Sequence, residues 1–216
     1  RMDWEALERQ LAMPQTSLMI LCNPHNPVGK IWDRQTLARV GGLCKKHGVL
    51  VISDEIHCDL TAPQKAYVPF ASVDENCRDI SVTCIAPTKT FNLAGIQTAA
   101  VYSANPVLRH RMWRQLNTDE VGEPNAFAVA ATVAAFTHGR KWLDELRAYV
   151  WENKRYVTDY LKEHVPGIRP VASEATYLMW LDCRAVSEDS DAFAYFLRKE
   201  SNLYLMSGRE YGTNGQ

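Results

Sequence analysis

Several features of common protein classes are missing from this chain of 216 residues. Its formal net charge is −1 and its basic residues form no cluster, which argues against a nucleic-acid-binding surface. The longest apolar run, residues 126–136, is interrupted by Thr132 and is too short to span a bilayer. The N-terminus is charged and lacks the apolar core of a signal peptide. We therefore predict no nucleic-acid partner and no membrane association.

Cysteine pairs of the kinds that bind metals or form redox centres are also missing. The six cysteines include no C-x-x-C pair, and several lie in apolar runs where a thiol packs as a small core residue. The segment 57–59 (HCD) lacks a second ligand cluster at a recognisable spacing, so we predict no metal site. Reduced thiols are typical of cytoplasmic proteins, and we expect that location.

The apolar segments predict an α/β fold. Continuous apolar runs alternate with stretches of helical character, which indicates a mostly parallel sheet with helices on both faces. Asp33 is placed to cap a helix that runs to about His47, and Gly48 is placed to end it. Two more helices are expected at residues 105–116 and 123–138, the second Ala-rich and buried. The expected strands are residues 17–22, 49–53, 80–86 and 98–102.

The character of the sequence changes near Gly139. A long amphipathic helix is expected over residues 141–165, and the elements that follow it are too few to enclose a core of their own. These elements are a strand at 176–182, a helix at 191–201 and a short strand at 203–206. We predict two domains, residues 1–139 as the C-terminal portion of a large domain and 140–216 as the start of a smaller α+β domain. The chain is thus expected to be a fragment of a longer protein.

Charge is scarce around one lysine. Lys89 is the only charged residue between Asp79 and Arg109, and it lies in the stretch APTKTFNLAGIQ directly after the predicted strand at 80–86. A lysine amine in a site with few other charges stays nucleophilic and can form a Schiff base with an aldehyde. A lysine in a loop is more often simply solvated, so this feature alone does not decide the matter.

Two further polar stretches follow predicted strands. NPHNPVG (23–29) follows the first strand and SDEIH (53–57) ends the second, and ligands of parallel α/β sheets bind at such strand ends. Asn26, Asp54 and Lys89 are therefore expected to converge. A cofactor with a pyridine ring needs an anion beside its ring nitrogen, as Asp54 could supply, and Asn26 could donate to its phenolic oxygen. Taken singly, an Asn-Pro turn and an aspartate helix cap are the ordinary alternatives.

These stretches, in this order and spacing, resemble fold-type I pyridoxal-phosphate enzymes of the class I/II aminotransferase superfamily. The resemblance implies that Lys89 is the Schiff-base lysine, Asp54 the partner of the pyridinium nitrogen, and Asn26 the donor to O3′. It also implies that Thr88 is a phosphate ligand and that the intact protein is a homodimer whose sites are completed across a two-fold interface. The residues that carry the resemblance are NPHNPVG, SDEIH, APTKTFNLAG, YLMWLD (177–182) and SGREYG (207–212).

Two positions depart from the aminotransferase pattern. His57 stands in the cofactor site where a tyrosine is usual, and Gln97 stands where an arginine usually clamps the phosphate. Both departures, with FNLAGIQ and DEIHCD, resemble the MalY/PatB-type C–S lyases (cystathionine β-lyase-like). That resemblance implies that Lys89 removes the α-proton of cystathionine or a related S-substituted cysteine, and that thiol, pyruvate and ammonia are released. An aminotransferase stays open as the alternative, as does an inactive fragment or pseudo-enzyme with a binding role.

Overall fold

A four-stranded sheet forms the centre of the computed structural model, which describes residues 2–212 and 215. Strands β1, β2 and β3 run parallel in that order, and β4 pairs antiparallel with β3. The α/β class and the mostly parallel sheet agree with the sequence prediction, and each strand end lies within two residues of its predicted place. The strands are β1 (Leu18–Cys22), β2 (Leu50–Asp54), β3 (Ser81–Ile85) and β4 (Ala100–Tyr102).

Eight α-helices lie in the described part of the chain. Helices α1, α3 and α4 are short and were not predicted, whereas the others lie where periodicity places them. In the described ranges, no helix is both long and apolar enough to cross a bilayer. The helices are α1 (Trp4–Leu11), α2 (Arg34–His47), α3 (Glu75–Ile80), α4 (Pro87–Thr90), α5 (Pro106–Thr118), α6 (Ala128–His138), α7 (Arg140–His164) and α8 (Ser190–Ser201).

Helix α2 begins and ends where its sequence signals predict. The Asp33 carboxylate accepts a hydrogen bond from the Thr36 backbone N–H at 2.8 Å, which satisfies one of the unpaired donors of the first turn. Gly48 ends the helix with φ +70°, a left-handed conformation in which a side chain would be strained. Local interactions therefore define both ends of the helix independently of its packing.

The main core lies between α2 and the first two strands. Five core side chains are 0% exposed: Leu37 and Val40 of α2, Val51 of β2, Val49 directly before β2, and Phe70. Complete burial of one such side chain stabilises the fold by about 1.5–3 kcal/mol. This core holds β2 in register and so fixes the position of the residues at its carboxyl end.

The contacts divide the chain into two compact units. One unit comprises the chain up to Trp151 together with Ser173–Leu178, and the other comprises Glu152–Ala172 and the chain from Met179 onward. This division differs from the predicted boundary near Gly139. Helix α7 begins directly after that glycine and continues without a break through Trp151, and Arg147 in its first half donates to the Thr61 carbonyl oxygen at 2.8 Å.

Two predicted strands are not formed as expected. Of residues 176–182, only Leu181–Asp182 (β6) is a strand, pairing antiparallel with β5 (Arg169–Pro170). Thr176 has φ +62°, and a left-handed residue interrupts an extended run. Residues 203–206 form no strand in the described structure, since an extended apolar segment becomes a strand only with a ladder partner.

Helix α6 begins at Ala128, not at residue 123, and the expectation that it is buried is wrong for the described structure. Ala128 is the one buried residue of this helix, while Val129, Val133 and Phe136 are 59%, 58% and 48% exposed. Apolar composition shows which surface a helix is able to bury. It does not specify what packs against that surface.

Candidate active site

Asp54 lies at the carboxyl end of β2, between β1 and β3 in the sheet. The register places it between Cys22 at the end of β1 and Cys84 of β3, so the ends of three parallel strands meet at this level. Its side chain is half-buried and its Oδ1 accepts a hydrogen bond from the Ile56 N–H at 3.3 Å. The Cys22 Sγ lies 4.0 Å from Oδ2, within reach of a weak thiol hydrogen bond. The carboxylate is therefore oriented by its neighbours at the sheet edge, where ligands of parallel sheets bind.

Lys89 lies in α4, the single helical turn that follows β3. Ala86 is extended and Pro87 opens the turn, a position where the missing N–H of proline costs nothing. Lys89 and Thr88 are both half-buried. The next residue, Thr90, is fully buried and its hydroxyl donates to the Asp59 carboxylate at 3.2 Å. This buried threonine anchors the turn that carries the lysine.

His57 is the most deeply buried of the predicted site residues. His57 is 3% exposed, and within the described residues neither of its ring nitrogens has a hydrogen-bond partner. Burial lowers the pKa of His57, and the positive charge of Lys89 lowers it further, against the opposing effect of the Asp54 carboxylate. The imidazole is therefore neutral near pH 7. It also lies within electrostatic reach of both Lys89 and Asp54, so these three predicted residues come together.

Asn26 lies on the loop between β1 and α2, next to the same sheet edge. Its side chain is exposed and available to a ligand. The loop is anchored by Asn23, which is 0% exposed and donates to the Val68 carbonyl oxygen at 3.0 Å while accepting from the Trp32 N–H at 3.2 Å. The peptide bonds preceding both loop prolines are cis. The structure thus places Asn26 on an anchored loop beside Asp54, whose backbone oxygen accepts from Asn23 at 2.9 Å.

Two residues around the site were not given a role from the sequence. Glu55, 2% exposed, accepts hydrogen bonds from Ser53 Oγ at 2.8 Å and the Phe70 N–H at 3.0 Å, and burial raises its pKa. Tyr177 packs edge-on against the His57 ring, with 5.8 Å between ring centroids. The SDEIH and YLMWLD stretches contain these residues, but a contact between stretches so distant in sequence leaves no local signal.

The whole chain is similar to known proteins. The sequence model of the family described as aminotransferase class I and II matches residues 1–216. Cystathionine beta-lyase PatB of Bacillus subtilis (strain 168) is 41% identical over 214 residues, which cover 99% of this chain and 55% of that protein. Protein MalY of Escherichia coli (strain K12) is 33% identical over 215 residues, covering 99% of this chain and 54% of that protein.

A solved structure gives the same result for the fold. Cystalysin from Treponema denticola, whose crystal structure contains a pyridoxal 5′-phosphate cofactor, matches with a TM-score of 0.95 at 30% identity. That match covers 100% of this chain and 55% of the solved chain. The chain therefore spans about half the length of the relatives it matches. Because the family's sequence model matches from the first residue to the last, the chain belongs to the aminotransferase class I and II family.

Proposed function

We propose that the protein is a pyridoxal-phosphate-dependent C–S β-lyase that acts on cystathionine or a related S-substituted cysteine. One observation carries the proposal: Asp54 at the end of β2 pairs with Cys84 of the parallel strand β3, and Lys89 lies in the helical turn directly after β3. The similarity to a cystathionine β-lyase at 41% identity supports the choice of reaction.

The residues present fit the cofactor. Both nitrogens of His57 are buried and without a hydrogen-bond partner among the described residues, which is costly unless a bound polar group pairs with one of them. Lys89 would hold the aldehyde carbon covalently, Asp54 would pair with the pyridinium nitrogen, and Asn26 would donate to the phenolic oxygen. Thr88 would donate to the phosphate. The placing of an anion, an amide and an amine around one edge is what such a ring requires.

The bound cofactor would act as an electron sink for the substrate carbon that loses its proton. The Asp54 carboxylate would keep the ring nitrogen protonated, so that the sink is effective. The Lys89 amine, once the amino acid has taken its place on the cofactor, would accept the α-proton at Nζ. The resulting ammonium could then return a proton to the departing sulfur.

The overall reaction balances with water as the only co-reactant. The Cβ–S bond of the amino acid breaks, one water is consumed, and one thiol, one pyruvate and one ammonia are formed. Neutral His57 beside Lys89 avoids placing a second cation next to the amine that must accept this proton. This is a physical reason for an imidazole of lowered pKa at this position.

We also propose that the intact protein is a homodimer in the cytoplasm. Two-fold dimers are the commonest closed oligomers, and sites of this kind are completed by the partner. The six cysteines are free thiols in the described structure, which suits a reducing compartment. Light scattering at assay concentration tests the dimer, and a stable, active monomer would overturn it.

Product analysis tests the reaction. Purified protein with pyridoxal phosphate is incubated with cystathionine, and separately with alanine or an aromatic amino acid plus 2-oxoglutarate. We expect pyruvate, ammonia and thiol in equal amounts from the first mixture. If the second mixture forms much more glutamate than the first forms pyruvate, the protein is an aminotransferase and not a lyase. Cofactor binding without turnover in either mixture would favour a binding role.

A further inference from the structure

A short segment from the later part of the chain lies against the loops of the candidate site. Ser173–Leu178, here called the return segment, belongs to the same compact unit as the four-stranded sheet although it follows α7 in sequence. The backbone N–H groups of Glu174 and Ala175 donate to the carbonyl oxygen of Gly29 at 2.8 and 2.9 Å. Gly29 lies three residues after Asn26, so the return segment holds the loop that carries this amide.

The return segment also contacts the chain around and after His57. The Ala62 N–H donates to the Glu174 carbonyl oxygen at 2.8 Å. The Tyr177 ring packs edge-on against the His57 ring, with 5.8 Å between the centroids. One segment of six residues therefore contacts both the loop that carries Asn26 and the segment that carries His57.

The Glu174 carboxylate joins these two loops a second time. The Lys65 ammonium donates to its Oε1 at 3.0 Å, the Ile31 N–H donates to its Oε2 at 3.4 Å, and the Lys30 Nζ lies 3.6 Å from Oε2. Ile31 and Lys30 belong to the loop between β1 and α2 (residues 23–33), here called the Asn26 loop. Lys65 belongs to the chain that follows His57. Burial acts to raise the pKa of Glu174, but Lys65, Lys30 and the Ile31 N–H together lower it.

We infer that Glu174 is a positioning residue that orders the Asn26 loop against the segment 57–65 and so fixes Asn26 for the cofactor. The side chains of its lysine partners Lys30 and Lys65 are 49% and 54% exposed, and ion pairs this exposed add little to global stability. The convergence of three donors from two loops instead sets how often those loops open locally. The inference rests on the proposed function for what the ordered loop binds.

The test compares Glu174→Ala and Glu174→Gln with a matched control, Glu8→Ala. Glu8 also accepts from a lysine, Lys46 at 2.6 Å, and is 43% exposed, but it lies in α1, in contact with α2. Hydrogen–deuterium exchange of the cofactor-free protein should be roughly three- to tenfold faster over residues 24–31 in Glu174→Ala, as expected for the loss of two exposed ion pairs. Glu174→Gln, which retains an acceptor oxygen, should lie between Glu174→Ala and the unmodified protein.

A second readout reports on Asn26 itself. With pyridoxal phosphate bound, donation by Asn26 to the phenolic oxygen favours its deprotonated form and lowers the pH at which the visible band changes. Glu174→Ala should move this apparent pKa upward, and Glu8→Ala should leave it unchanged. Unchanged exchange and an unchanged band in Glu174→Ala, or equal changes in Glu8→Ala, would overturn the inference. If the unmodified protein shows no visible band, the proposed function fails, while the exchange comparison still decides whether Glu174 orders the loops.

Discussion

Two glycines with nearly the same backbone conformation provide a sharp test of the contact between the Asn26 loop and the return segment. Gly29 has φ +74° and Gly48 has φ +70°. A Cβ at Gly48 would meet nothing within 4 Å, whereas a Cβ at Gly29 would lie 2.2 Å from the Ala175 carbonyl oxygen and 2.2 Å from the Ser173 Oγ. Alanine at either position incurs the same left-handed strain, but only at Gly29 must the return segment move.

Two separate effects determine how far these substitutions lower the free energy of unfolding. Left-handed strain costs about 1–2 kcal/mol, and the lower freedom of the unfolded chain returns about 0.4–1 kcal/mol. Gly48→Ala should therefore lower the free energy of unfolding by about 1 kcal/mol. Gly29→Ala should additionally weaken the two hydrogen bonds that Gly29 accepts from the return segment, each worth about 0.5–1.5 kcal/mol. We expect a further loss of about 2 kcal/mol.

Urea unfolding of the cofactor-free protein, followed by far-ultraviolet circular dichroism, measures both variants. In thermal unfolding the same two variants should differ by roughly 4–8 °C in melting temperature for a chain of this size. Equal losses in Gly29→Ala and Gly48→Ala would refute the close approach of the return segment to the Asn26 loop.

Three further predictions follow from single side chains. Asp33→Ala should lower the free energy of unfolding by about 1 kcal/mol in urea titrations, because the Thr36 N–H loses its cap. The pKa of His57 lies below its ordinary value of 6.5, so the folded chain binds fewer protons than the unfolded chain as pH falls below that value. The free energy of unfolding should therefore decrease as the pH is lowered, by up to about 1.4 kcal/mol per pH unit from this group. His57→Asn should make this decrease less steep, and parallel stability–pH curves for the variant and the unmodified protein would contradict the prediction. Asp54→Ala should reduce pyruvate release roughly a thousandfold in steady-state assays, and a loss below tenfold would remove Asp54 from the ring-nitrogen role.

Local signals predicted the parts of the fold that are determined locally. Asp33 and Gly48 gave the limits of α2 because a cap and a left-handed terminus depend on a few neighbouring residues. The end of β2, which bears Asp54, and the turn after β3, which bears Lys89, could be predicted because apolar runs, loops and chain direction suffice to place them at one sheet edge. His57 was predicted from its position in a motif, but its burial without a hydrogen-bond partner required the structure.

Contacts between distant segments account for what the sequence did not predict. Thr176 lies in an apolar stretch typical of a strand, yet it adopts φ +62° where the chain meets the loops of the candidate site. The carboxylate of Glu174 meets Lys30 and Lys65, which lie more than a hundred residues away in sequence. Propensity and periodicity describe one segment at a time, so they do not predict contacts between segments that are distant in sequence.

Lys89 is proposed to be the amine that binds pyridoxal phosphate, and chemical labelling tests this most directly. Purified protein is incubated with pyridoxal phosphate, reduced with borohydride and digested, and the labelled peptide is identified by mass spectrometry, with Lys89→Arg as the control. We expect the label to lie on Lys89 and to be lost in Lys89→Arg. A label on any other lysine, or a label that persists in Lys89→Arg, would contradict it.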